Sequence, residues 1–455
     1  MPGEGDAGFG LGPALRFWLE NLLSAFADPS LLLWLGFVLA LVYWQYRRLA
    51  TLERMRLGGT TISPGRETFE SLLAGLLGGM AGAGVLMLVG VSLLDAGILY
   101  LWPLALLLMF IHPRYLCFAY AGGLLATSHM LFGVPAGLEV ASLAALVAVL
   151  HGIEATLIWL NGASHPQALY VRTPQGETVG GFLLQRAWPI PTLGLAVAFV
   201  TPAEFQSLAD YVRMVPTPSW WPLIPFREAA SGLNAVVLAI PLVAALGYSD
   251  LTITREPSAK ARRSALQLGI YSLSLLGLAV LAGRAGWAGY LAAVAMPFGH
   301  ELVILLGQRA ETRGVPRFSG AMVGQGVGVL DVVPGSAAAA MGLRAGDRIV
   351  RANNEPVANA EALYQVLSPW SVGVTLEVER LGRRIVLSYD GKVPPLGLVP
   401  VPDSREARAV PLPEDTWIDG LLWLGRRLIG WCGGHSRHGR RPGDHQVQEA
   451  QLRNR

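Results

Sequence analysis

Two pairs of ionisable residues stand inside long apolar runs, where charge is costly and marks functional candidates. His151 and Glu154 are three apart, which puts both on one face of a helix. His300 and Glu301 are adjacent near the end of the last long run. Imidazoles beside carboxylates are the groups from which a zinc site or a proton relay is made. A zinc hydrolase motif on one helix needs His-Glu-x-x-His, two imidazoles a turn apart with the carboxylate base between them. Leu302, Val303 and Ile304 follow Glu301, so the second imidazole is missing, and in His151-Gly152-Ile153-Glu154 the acid is misplaced as well. The four residues form an intramembrane polar cluster in which a structural contact and a composite metal or proton site both stay open. No catalytic residue, cofactor or resident metal is assigned.

The elements that must position them are read from composition. Of 455 residues, 52% are hydrophobic and only 15% charged, and mean hydropathy is +0.44. That excludes a soluble enzyme and a disordered chain. Two cysteines, Cys117 and Cys432, exclude a disulfide framework, and a net charge of +3 excludes nucleic acid as a partner. Spanning helices need about 20 apolar residues. Candidates run from Ser30 to Tyr46, Leu72 to Leu94, Ala96 to Ile111, Arg114 to Phe132 and Leu138 to Leu160, then Leu233 to Tyr248, Leu266 to Ala282 and Trp287 to Gly307. Thr192 to Thr201, bracketed by Pro191 and Pro202, is a short ninth.

Basic loops stay on the cytoplasmic side. Arg47 to Arg66, Arg255 to Arg263 and Arg309 to Arg317 are three such groups, and they agree only if an even number of crossings separates each pair. Counting Thr192 to Thr201 satisfies this, with nine spans, an outside N-terminus and a cytoplasmic C-terminal domain. At that orientation His151 with Glu154, and His300 with Glu301, fall in the cytoplasmic third of their helices and can meet across the bundle. Gly75, Gly78, Gly79 and Gly82 make two overlapping Gly-x-x-x-Gly pairs, for close packing inside the bundle or for a dimer face. Residues 161–191 can form a small hairpin, and Trp220 and Trp221 suit an interfacial belt.

From about Arg317 the apolar runs shorten into alternating strands with turn residues between them. Strands are expected at 326–333, 348–352, 372–380 and 383–389, a short helix capped by Ser336, and a second capped by Asn359 that runs to Leu367. The carriers Gly328-Val-Leu-Asp-Val-Val-Pro-Gly-Ser-Ala-Ala337, Met341-Gly-Leu-Arg-Ala-Gly-Asp-Arg-Ile-Val350 and Asn353-Asn-Glu-Pro-Val357 resemble a bacterial PDZ domain. The resemblance implies a guest peptide added as a strand to a sheet edge beside a helix. It places that edge at Phe318, Ser319, Gly320, Ala321, Met322 and Val323, with Leu363, Val366 and Leu367 as the opposing wall. Phe318-Ser319-Gly320 departs from the family's Gly-Leu-Gly-Phe-like loop.

The fold class is thus an α-helical polytopic membrane bundle of eight or nine spans followed by a small α+β PDZ domain. An N-terminal interfacial segment at 1–29 carries the stripe Leu11, Leu15, Trp18, Leu22 and Phe26. The bundle takes 30–307 and the PDZ domain 317–391. A Pro-rich linker follows at 392–416, then an amphipathic helix at 417–431 with Trp417, Leu421, Leu424, Leu428 and Trp431 on one stripe, and a basic tail at 432–455 suited to anionic lipid. This architecture resembles the MinJ-type proteins of Gram-positive bacteria. The resemblance implies a non-enzymatic adaptor in division-site selection, linking DivIVA to MinC/MinD at septa and poles, with homo-oligomerisation open. An intramembrane metalloprotease-like protein and a transporter with a regulatory PDZ domain are the alternatives.

Overall fold

The computed structural model describes residues 20–21, 24, 27–57, 60, 62–208, 219–228, 231–320, 325–367, 372–392, 396–402 and 409–412. The N-terminal stripe, residues 209–218, residues 321–323 and everything after Leu412, including the helix expected at 417–431 and the tail, lie outside them. In chain order the membrane part begins with α1 (Pro29–Leu57), α2 (Pro64–Val89), α3 (Ile98–Ile111), α4 (Phe118–Phe132) and α5 (Val140–Asn161). Strands β1 (Gln167–Arg172) and β2 (Thr178–Val200), a short helix α6 (Pro202–Ser207), β3 (Asn234–Thr252), α7 (Pro257–Ala282) and α8 (Gly286–Arg313) follow. Among the described residues α1, α2, α5, α7 and α8 are long and apolar enough to cross a membrane. The chain is an integral membrane protein. Helix α5 forms the centre of the bundle and is buried on nearly every side.

Helices α3 and α4 hold 14 and 15 residues, so at 1.5 Å per residue they reach about 21 and 22 Å, short of the roughly 30 Å hydrocarbon core. The start of α3 lies beside the start of α5, where Glu139 N–H donates to Asp95 O at 2.7 Å. Beyond its far end Arg114 grips Glu301, in the middle of α8, at 2.8 and 3.0 Å. The α3–α4 pair therefore enters from one end and turns back partway, its tip tied to α8 through Arg114 while His112, Pro113 and Leu116 stay exposed.

Two expected helical spans are strands. Thr192 to Thr201 and Leu233 to Tyr248 fall almost wholly in β2 and β3, which pair antiparallel from Phe182 with Thr252 to Val200 with Asn234. An apolar run does not reveal by periodicity whether it is a buried strand or a helix. Proline is the local sign here. Pro189 and Pro191 precede the first run and Pro241 lies inside the second. In a helix each would leave a backbone bond unmade, as Pro103 does in α3 and Pro297 in α8, whereas in the ribbon none is lost. Leu195 O accepts from Leu93 N–H at 2.7 Å and Val197 N–H donates to Ser92 Oγ at 3.3 Å, so the odd-numbered residues of β2 face away from β3. Prolines at those positions remove no ladder bond. The outward carbonyls of Pro189 and Pro191 press into α2, where a Cβ on Gly75 or Gly79 would lie 1.9 or 2.0 Å from them. The Gly-x-x-x-Gly face of α2 thus receives a strand backbone. Eight or nine helical spans reduce to five long helices, a short helical hairpin and a strand ribbon.

Buried ion pairs pin one end of this assembly. Arg186 of β2 is bound to Glu67 at the start of α2, and His165 Nδ1 lies 3.0 Å from the same carboxylate. Lys260 of α7 bridges Asp250 of β3 at 3.2 Å and Glu311 of α8 at 3.3 Å. Arg186 and Tyr248 are register partners, so both networks lie at the same end. All three arginine-rich groups belong to it.

The C-terminal module holds β4 (Val327–Val332), α9 (Ala337–Ala340), β5 (Arg348–Ala352), β6 (Glu355–Pro356), α10 (Ala360–Val366), β7 (Val372–Arg380), β8 (Arg383–Lys392) and β9 (Leu398–Pro400). Its sheet runs β8-β7-β5-β4-β9. Ser336 Oγ accepts from Ala339 N–H and Asn359 Oδ1 from Ala362 N–H, as the capping residues led us to expect. The stretch expected as a linker supplies two strands, β9 and β10 (Val410–Pro411), the latter parallel to β1. At its entry the module is held by Gly180 N–H donating to Phe318 O at 2.7 Å. Phe182, Phe318, Leu330 and Val399 bury one another across this junction.

Candidate functional site

A PDZ-type site needs an end strand, a helix beside it and a turn with free N–H groups at one end. Sheet order makes β9 the end strand. It pairs with β4 through Val329 with Pro400, Asp331 with Val399 and Val332 with Leu398. That is the place expected for 318–323. Phe318 is instead buried against the ribbon, its ring 5.6 Å from Phe182 and its carbonyl taken by Gly180. Ser319 is buried and Gly320 half-buried, while Ala321, Met322 and Val323 lie outside the described residues. On the helix side Leu363 is fully buried in the module's core, with Val366 and Leu367 half-buried against it.

The residues that prepare β9 are Leu396, Gly397 and Leu398. Gly397 has φ +75°, and a Cβ there would lie 2.2 Å from Ser336 Cβ, so the turn requires glycine. Val333 N–H donates to Gly397 O at 2.8 Å and Ala338 N–H to Leu396 O at 2.9 Å, which fastens the turn over the start of α9. Leu396 and Leu398 enter the same core as Leu363. The hydrophobic-Gly-hydrophobic pattern of Leu396-Gly397-Leu398 was readable in the sequence and fits the family's loop better than Phe318-Ser319-Gly320. It lies after the last long strand of the module, not before the first.

Inside the bundle the structure unites His151 and His300, whose rings are 5.1 Å apart near the middle of α5 and α8. Glu301 turns to Arg114 and accepts from Tyr120 Oη at 2.6 Å. Glu154 makes no hydrogen bond or ion pair among the described residues. Cys117, which caps α4, is the member that sequence reasoning missed. Its Sγ lies 3.1 Å from His151 Nε2 and 3.6 Å from His300 Nε2. Positions 117, 151 and 300 share no spacing, so no local motif could have joined them. At the pinned end His165 is raised above its ordinary value, chiefly by its hydrogen bond to Glu67.

Comparison with known proteins bears on the module first: residues 328–380 match the PDZ domain family. Residues 328–380 are part of a PDZ domain. The chain is also a distant homologue of the cell division topological determinant MinJ of Bacillus subtilis (strain 168), 27% identical over 278 residues. The match covers 58% of this chain and 63% of that protein, so the chain spans less than two thirds of the curated relative's length. The relative's name describes a determinant of division topology and not an enzyme.

Proposed function

We propose that this protein is a non-enzymatic membrane scaffold that holds its PDZ domain at the cytoplasmic face and recruits division-site proteins through the edge of β9. The observation that carries the reading is the position of β9, an end strand prepared by a glycine turn and set in the same core as α10. Main-chain bonds to that edge supply affinity, and the half-buried Val366 and Leu367 supply a side-chain wall. The cytoplasmic orientation is supported by three arginine-rich groups at the module's end of the bundle. The division role, with DivIVA-like and MinD-like partners, is supported by the likeness to MinJ.

The test is a fluorescent fusion of the full chain imaged in dividing cells. Accumulation at septa and poles is expected, and uniform membrane signal would remove the division reading. Val366→Asp places a charge on the wall of the groove. It should abolish that accumulation while the protein remains in the membrane; a Val366→Asp fusion that still collects at septa would remove β9 and α10 as the recruiting site.

A further inference from the structure

We propose that Cys117, His151 and His300 bind one zinc ion within the bundle, with Glu154 supplying the compensating charge. The argument is a count of protons and lone pairs. Val147 O, which only accepts, lies 2.7 Å from His151 Nδ1 and so fixes the proton there. His151 Nε2 is then a bare lone pair aimed at Cys117 Sγ. Tyr120 Oη donates to Glu301, whose charge Arg114 holds, so the phenol oxygen is free to accept from His300 Nδ1, 3.4 Å away. His300 Nε2 is likewise a lone pair facing the same sulfur. Cys117 also accepts from Ala119 N–H at 3.4 Å. One thiol proton therefore faces two imidazole lone pairs and satisfies one at most. A cation among the three donors satisfies all of them.

The dimensions and surroundings fit zinc. Zn–S of about 2.3 Å and Zn–N of about 2.05 Å at tetrahedral angles put sulfur and nitrogen about 3.5 Å apart. The two sulfur–nitrogen separations are 3.1 and 3.6 Å, and all three donor atoms lie within 4.8 Å of one another. Each imidazole has its second nitrogen engaged, His151 by a carbonyl and His300 by a phenol that leads to a carboxylate, which is the outer-shell pattern of metal-bound histidine. Zinc, a thiolate and two neutral imidazoles carry one net positive charge. Glu154, a turn from His151 on the same face of α5, cancels it, while Glu301 is already matched by Arg114. The ion would tie the tip of the α3–α4 hairpin to α5 and to α8, the helix that leads into the PDZ domain.

The experiment is elemental analysis of the full chain purified in detergent without added chelator or metal. About one zinc per chain is expected, falling at least tenfold in Cys117→Ala, His151→Ala and His300→Ala and unchanged in Cys432→Ala. Because these variants can fail to fold, the unaltered protein is also exchanged with Co²⁺. A sulfur-to-cobalt charge-transfer band should appear; Cys117→His should keep the metal and lose the band. Unaltered protein holding less than about a tenth of a zinc per chain, zinc retained by all three alanine variants, or cobalt bound with no charge-transfer band would each overturn the proposal.

Discussion

The packing of α2 against the strand ribbon makes the sharpest prediction about the membrane part. Gly75→Ala and Gly79→Ala place methyl carbons 1.9 and 2.0 Å from the carbonyl oxygens of Pro189 and Pro191. Carbon and oxygen meet at about 3.3 Å, so helix and ribbon must part by roughly 1.4 Å. β2 cannot yield alone, since it is laddered to β3 along its whole inner edge. Overpacking costs about 1–3 kcal/mol per site, and a backbone obstacle argues for the upper figure. The 2.9 Å bond from Thr192 Oγ1 to Gly79 O is also lost, worth about 1 kcal/mol. Against this, alanine improves helix propensity by about 1 kcal/mol at each position. The double variant should therefore lose on the order of 5 kcal/mol, a fall in unfolding midpoint on the order of 10 °C. The assay is thermal unfolding of purified protein in detergent, with Gly84→Ala as control because nothing lies within 4 Å of its Cβ position. If the double variant unfolds with the control and only its oligomeric state changes, these glycines form a dimer face and the ribbon does not lie against them.

Three further outcomes follow from the same structure. A fragment starting at Arg317 and ending at Lys392 lacks Leu396 and Leu398, which are 3% and 8% exposed. Their burial is worth roughly 3–6 kcal/mol together, so in urea unfolding that fragment should be largely unfolded where one ending at Pro402 is cooperative; equal stability would show that β9 is no part of the domain. Arg186→Met leaves the buried Glu67 with His165 alone as a cationic partner and should cost roughly 3 kcal/mol, most of it recovered in Glu67→Gln/Arg186→Met; thermal unfolding of the single variant at the unaltered midpoint would refute a buried pair. His165 is raised in the folded state, so its contribution is fully present below its ordinary value of 6.5 and is lost as pH rises through the higher folded value. A midpoint that drops above that pH in the unaltered protein and stays level in His165→Gln is expected, and identical slopes would remove the effect.

The PDZ elements were legible because each is declared by neighbours in sequence. Asn353 and Asn354 take φ of 48° and 66° at the turn between β5 and β6, and Ser336 and Asn359 each cap the helix that follows. β9 was not legible: it is three residues long and pairs with a strand more than sixty residues earlier, so its identity depends on a partner that no local window contains. The membrane part divides on the same line. Helices α2, α5, α7 and α8 follow from length and apolarity. The ribbon does not, because β2 is buried on both faces and the exposed positions of β3, Val237 and Leu238 among them, are apolar too, which erases the alternation that marks a strand. The prolines at 189, 191 and 241 were the remaining sign. For the cluster, His151 and His300 were found because charge-bearing residues are rare in apolar runs. Cys117 looked like one more apolar residue.

The arginine groups nevertheless pointed to one end correctly, for a reason that span counting alone does not supply. α2 leaves that end and α5 returns to it, the α3–α4 hairpin enters and exits from the far side, and β2 and β3 leave and return as a pair. The ribbon therefore replaces two helical crossings without changing parity. It also sets how the PDZ edge is presented. The chain enters the domain at Phe318, bonded to β2, and after β9 it rejoins the membrane part as β10 on β1. Held at both points, β9 has a fixed outlook. Val401 N–H and Gly397 O bond inward to Gly328 and Val333, so it is the backbone groups of Leu398 and Pro400 that point to the open edge. Pro400 has no N–H, and its carbonyl is taken by Tyr170 Oη at 3.1 Å. Among the residues of β9 that leaves Leu398 to offer both an N–H and a C=O to a guest. On the proposed reading, a strand docking here would run from the Leu396-Gly397 turn past Leu398 and meet Tyr170, which would limit the recognised segment to a few residues with their end at the glycine turn.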